Sequence, residues 1–174
     1  INGAIGMQDP DDNEAKAFTG QLAWSNDSFG LSIGGNWGDT GDGDTESILD
    51  LVVSADPSDN LSLWANFDWV NVDPTGAGNN TNTYGIAVAG RYAINDATGI
   101  SLRGEYVDHD TASIDQWSIT TTIDHDVTDN LLLRGEFRYD EADNAANMDW
   151  FENAAGNVTH EDQFLFLMDL TYEF

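Results

Sequence analysis

Histidine beside carboxylate is raw material for general-base chemistry, and this chain carries it twice, as Asp108-His109-Asp110 and Asp124-His125-Asp126. Both tripeptides fall in segments of strand-like alternation. Neighbouring residues on a strand point to opposite faces, so neither histidine shares a face with the acids next to it. The two motifs also lie at opposite ends of their strands, and no nucleophile joins them. Enzymatic activity is not expected. A second candidate is Gly38-Asp39-Thr40-Gly41-Asp42-Gly43-Asp44-Thr45-Glu46, where Asp39, Asp42, Asp44 and Glu46 are interleaved with glycine. Hard cations such as calcium take several oxygens around a tight turn. This loop is shorter than an EF-hand loop and lacks its pattern, so a solvated acidic loop is the default reading. The third candidate is Arg91, Arg103, Arg134 and Arg138 with Glu105 and Glu136, a set that could line a charged wall.

The elements that must position these groups read as strands. Alternating apolar residues mark ten segments, near 1–7, 17–25, 29–38, 46–55, 61–72, 83–94, 99–109, 116–126, 131–140 and 162–174. The last carries Phe164, Phe166, Met168, Leu170, Tyr172 and Phe174 at every second position. A period of two over that length is a long strand with an apolar face, and about 9–11 tilted residues also cross a bilayer as β-strand. The connections alternate in kind. Short ones, at 25–28, 56–60, 95–98 and 127–130, hold the Asn, Asp and Pro of tight turns. Longer polar ones lie at 8–16, 39–45, 73–82, 110–115 and 141–161. Related units, Leu102-Arg103-Gly104-Glu105-Tyr106 and Leu133-Arg134-Gly135-Glu136-Phe137, recur one hairpin apart.

Composition narrows the class. The chain of 174 residues is read as a single domain, 1–174, with 5 basic and 32 acidic residues, a formal net charge of -27 and no cysteine. Nucleic acid is a poor partner, because phosphates need a basic patch. Acidity of this degree can signal disorder, but 11% aromatic residues and dense alternation indicate a folded β protein. The longest apolar runs are too short for a transmembrane helix. The opening Ile1-Asn2-Gly3 is already strand-like, and the N-terminus reads as mature or truncated.

Sorting residues by parity separates two faces. One carries Leu61, Leu63, Ala65, Phe67 and Trp69, then Tyr84, Ile86, Val88 and Tyr92, then Leu131, Leu133, Phe137 and Tyr139. The other carries Asn66 and Asp68, together with all four arginines, Glu105 and Glu136. Aromatics collect at the strand ends: Trp24, Tyr172 and Phe174 beside the short turns, and Trp37, Trp69, Tyr106 and Tyr139 beside the long loops. Tyr and Trp favour both bilayer interfaces. Short turns on one side, long loops on the other, and a charged face opposite a continuous apolar one describe an outer-membrane barrel. A secreted acidic β-sandwich binding carbohydrate or calcium also alternates, and is the alternative.

Four stretches carry a family resemblance: Leu102-Arg103-Gly104-Glu105-Tyr106 with Asp108; Asn130-Leu131-Leu132-Leu133-Arg134-Gly135-Glu136-Phe137-Arg138-Tyr139-Asp140; Asp59-Asn60-Leu61-Ser62-Leu63; and the closing 163–174. The chain resembles the OmpL-like beta-barrel porins of Gram-negative bacteria. The resemblance implies an all-β, antiparallel up-and-down transmembrane barrel, with about ten strands in this chain, as the C-terminal portion of a larger one. Ten strands could also close alone. It further implies a non-enzymatic aqueous channel in the outer membrane passing ions and small hydrophilic solutes, without a cofactor. Its partners would be outer-membrane lipid, the barrel-assembly machinery through Phe174, and further copies of itself. On this reading Arg91, Arg103, Glu105, Arg134, Glu136, Arg138, Asp68 and Asn66 line the pore. A structural barrel plugged by an ion-pair ladder is the competing reading of the same residues.

Overall fold

The computed structural model describes residues 16–40, 43–110, 114–144, 151–152 and 158–174. The predicted segment 1–7 lies outside them. Nine long strands follow the alternation: β1 (Ala17–Ser25), β2 (Phe29–Asp39), β3 (Thr45–Ser58), β4 (Leu61–Asp73), β5 (Thr81–Asn95), β6 (Thr98–His109), β7 (Ile114–Thr128), β8 (Leu131–Asn144) and β11 (Asp162–Tyr172). They form one antiparallel meander in the order β1-β2-β3-β4-β5-β6-β7-β8-β11. Two short strands, β9 (Phe151–Glu152) and β10 (Val158–His160), pair as a separate ribbon within the β8–β11 connection.

Several strands run past their predicted ends, β5 from Thr81 and β8 to Asn144. The added residues, such as Thr81 and Asn82 or Asp143 and Asn144, are polar on both parities. Backbone pairing continues there after the apolar face has stopped, so alternation no longer marks it. The short turns behave as their residues dictate. Asn26 Oδ1 accepts the backbone N–H groups of Ser28 and Phe29, each at 2.9 Å, and Asn95 Oδ1 accepts that of Ala97 at 2.9 Å. Register shifts accompany the turns at 55–58, 93–95 and 126–128. Such bulges let a tight reversal fit the strand twist.

The register keeps one parity on one face throughout. Trp24, Leu31, Val53, Ala65, Val88, Gly104, Ile119, Tyr139 and Phe164 are joined by unbroken or once-stepped cross-strand pairing. This apolar face is uncovered, with Phe166 62% and Val88 53% exposed. Among the described residues the buried apolar side chains are only Ala87 and Ala142. A soluble sandwich buries its apolar face between sheets; here, among the described residues, nothing covers that face. β1 and β11 are the two edges of the sheet and do not pair with one another. The nine strands are thus an open up-and-down wall and not a barrel closed upon itself. No helix of the described residues is long and apolar enough to cross a membrane.

Candidate functional site: the charged inner wall

The face opposite the apolar one is built in rows that cross the strands. Glu105, Ser118, Asp140 and Gln163 form one row on β6, β7, β8 and β11. The next row, one pleat towards the short turns, is Arg103, Thr120, Arg138 and Leu165. Long arginines therefore stand beside a row of acids. Arg138 donates from Nε to Asp140 Oδ1 at 2.6 Å and from Nη1 to Glu105 Oε2 at 3.0 Å. Asp140 Oδ2 accepts from Gln163 at 2.9 Å, and Glu105 accepts from the Ser118 hydroxyl at 2.9 Å. Arg103 is held more loosely, with Nε 3.4 Å from Glu105 Oε2.

Nearer the short turns, Arg91 donates to Asp124 from Nε at 3.2 Å and from Nη2 at 2.5 Å. A two-pronged contact of this kind suits the planar guanidinium. Gly99 makes it fit, because a Cβ there would collide with the Arg91 guanidinium. Arg134 Nη1 lies 3.6 Å from Asp169 Oδ2, and Glu136 accepts from the Thr122 hydroxyl at 3.0 Å. All six charged residues chosen from sequence for this wall are on its face. Their acidic partners Asp124, Asp140 and Asp169 escaped the sequence reading. The signal that finds them is register: each arginine's partner acid sits on the same parity, on its own strand or up to two strands away.

Asn66 and Asp68 belong to a different part of the same face. Asn66 donates from Nδ2 to Asp50 Oδ1 at 2.7 Å and to the Leu51 carbonyl at 3.2 Å. Asp50 stands directly across from Asp68. Trp64 also points inward here, which its place in an otherwise polar row does not announce.

The predicted aromatic residues all take the outward parity. Trp24 packs against Phe29 with ring centroids 6.0 Å apart, Trp37 against Phe18 at 6.3 Å, and Tyr139 against Phe164 at 4.7 Å. Trp117, absent from the sequence-based set, completes the long-loop belt: it pairs across from Tyr106 and meets Tyr139 at 5.3 Å. Trp69 donates its indole N–H to Asn82 at 3.1 Å. Tyr172 and Phe174 are exposed at the short-turn end.

The histidine motifs separate as expected. His109 meets the Thr83 hydroxyl at 3.1 Å and His125 that of Thr98 at 2.9 Å, at opposite ends of the sheet. In the acidic loop Asp42 lies outside the described residues. Asp44 Oδ1 accepts the Thr75 backbone N–H at 2.8 Å and its hydroxyl at 3.1 Å, stapling the β2–β3 loop to the β4–β5 loop. Gly43, at φ 91°, lets Thr75 approach where a Cβ would crowd its hydroxyl. Among the described residues no three acidic or histidine side chains gather as a metal site.

Residues 1–174 match the family described as "Putative beta-barrel porin-2, OmpL-like". The chain belongs to this family. Its architecture is that of bacterial outer-membrane porins. The anion-selective porin from Comamonas acidovorans superimposes with a TM-score of 0.76 at 12% identity, over 91% of this chain and 49% of that one. OmpT, an outer membrane protein of Vibrio cholerae, does so at 0.72 and 14% identity, over 94% and 57%. The NanC porin does so at 0.62 and 10%, over 92% and 79%. The chain thus spans about half the length of the first two porins it matches. No curated protein matches its sequence. The apolar face of this porin wall is the lipid-facing one, and the charged face lies on the inner side.

Proposed function

We propose that the chain forms part of the wall of an outer-membrane diffusion channel, through which ions and small hydrophilic solutes pass down their gradients without chemistry or cofactor. The observation that carries this is the segregation of charge. All four arginines and the acids that hold them share the inner face, while the outer face is apolar across nine strands. Charged groups that line a pore set its ion preference. Family membership supports the reading, as does the likeness to an anion-selective porin and to OmpT.

The sign of this channel's preference follows its own charges. With 32 acidic residues against 5 basic ones, the negative field should enrich cations at low salt. Screening shortens that field from about 10 Å at 0.1 M to about 3 Å at 1 M, so moderate cation preference should fade towards neutrality as salt rises. Conductance of the full-length protein in planar bilayers, with reversal potentials across a salt gradient, tests both points. A folded, inserted protein that carries no current would make the arginine network a structural plug. Phe174, on the outward aromatic parity of β11, belongs to the same reading as the residue the assembly machinery would recognise. Deleting it should lower the amount assembled in cells more than the stability of protein already folded. Unchanged outer-membrane levels would remove that role.

A further inference from the structure

The inner wall holds a cavity of about 430 Å³ at its long-loop end, where the β9–β10 ribbon brings Phe151 over β6, β7, β8 and β11. Volumes of this order accept small molecules. We infer that this cavity is a binding subsite for a polyhydroxylated solute without negative charge, about the size of one sugar ring, met on its way through the channel. The inference rests on the channel reading above and adds a solute class to it.

Most charges of the cavity are paired with each other, and Glu141, which also lines it, accepts the Tyr139 hydroxyl at 2.8 Å and has no cation beside it among the described residues. Arg138 bridges Glu105 and Asp140, and Asp140, only 6% exposed, also takes the Gln163 amide. An anionic guest would face three carboxylates, Glu105, Asp140 and Glu141, with Arg138 already bridging two of them. A guest without negative charge meets no such opposition. The hydrogen-bonding capacity still open suits hydroxyl groups. Gln116 lines the cavity, and its amide has no side-chain partner among the described residues. That amide offers both donors and an acceptor, and the Glu105 carboxylate and Arg138 guanidinium retain unused lone pairs and N–H groups.

The lining also has an apolar part. Val107 and Leu165 interrupt the polar parity of the inner wall at this level, and Phe151 joins them from the ribbon. An aromatic ring with two aliphatic neighbours, facing amide and carboxylate groups, matches a pyranose, which is apolar on its ring face and polar at its rim. The ribbon is tied to the wall where Ala142 N–H donates to the Glu161 carbonyl at 2.8 Å. Phe151 is therefore carried on a segment anchored at the rim.

The test uses the full-length protein in detergent or nanodiscs. Saturation-transfer NMR with glucose, gluconate and glucosamine as probes reads binding whether or not current flows. Planar-bilayer current with the same three probes reads passage. Glucose and glucosamine should bind in the millimolar range and gluconate at least ten-fold more weakly, and glucose should reduce the potassium chloride current. Phe151→Ala and Gln116→Ala should each weaken glucose binding ten-fold or more, while Phe151→Tyr retains it. Equal binding of the three probes, or glucose binding indifferent to Phe151→Ala and Gln116→Ala, would overturn the subsite. Loss of current with selective glucose binding intact would overturn the channel and leave the subsite standing.

Discussion

The first four strands and the last five present the same outer face and different inner ones. On β2, β3 and β4 the inner wall bears acids and amides without any basic residue, with Asp50 across from Asp68 and Asn66 bonded to Asp50 at 2.7 Å. From β5 onward it carries every arginine of the chain, each with a carboxylate within 3.6 Å. The outer face answers to lipid, which is the same all round. The inner face, which on the proposed reading meets water and solute, answers to its own electrostatics and is free to differ from strand to strand. Uniformity outside and zoning inside are how one sheet serves two solvents.

The largest expected effect tests the shared outer face. Val88 and Ala89 are neighbours near the middle of β5 on opposite faces. Val88→Arg should destabilise the inserted protein by about 2–4 kcal/mol. Ala89→Arg, on the inner face, should cost about 1 kcal/mol or less. Reversible unfolding in lipid measures both, and equal costs would reject the face assignment.

The next effect sets the two inner zones against each other. Arg138→Gln leaves the nearly buried Asp140 without its cation and Glu105 with only the looser Arg103 contact at 3.4 Å. The pair is partly solvated, so about 1–2 kcal/mol should be lost, less than for a fully buried pair. Asp68→Asn removes one of two like charges placed directly opposite, an arrangement that is itself unfavourable. It should be neutral or slightly stabilising in the same assay. A comparable loss at both sites would mean that the acidic zone is held by pairs as tightly as the arginine zone.

The smallest effect is on ion preference. Changing Arg103 and Arg134 together to Gln should move the reversal potential further towards cations. Changing Asp50 and Asp68 together to Asn should move it the other way. Each shift should be a modest one at 0.1 M salt, and the outer acidic field should vanish sooner than these as salt rises. No response to the arginine change would make those residues scaffold, not lining.

Strand positions and face assignment were legible in the sequence because lipid enforces alternation residue by residue. That held even for β1 and β2, where Phe18, Leu22 and Ile33 interleave with glycine and polar residues. The partners inside the wall were not. Arg91 with Asp124 spans 33 positions, and Arg138 with Glu105 another 33. Parity says that such residues share a face, but only register says that they meet. The acidic loop shows the same limit of local spacing. Asp44 is committed to Thr75, 31 residues away, and the neighbouring glycine serves that contact.

That last contact has a mechanical meaning. Separate surface loops fluctuate independently on nanosecond to microsecond times. A carboxylate gripping both the backbone and the hydroxyl of the next loop makes the two move as one body. In the proposed channel the rim above β2 to β5 then has fewer independent ways to sag inward, so its electrical noise should be quieter than two loose loops would produce. Cutting the tie with Asp44→Ala would turn one stiff brow into two flapping ones, and the signature would be brief current interruptions with the open level unchanged.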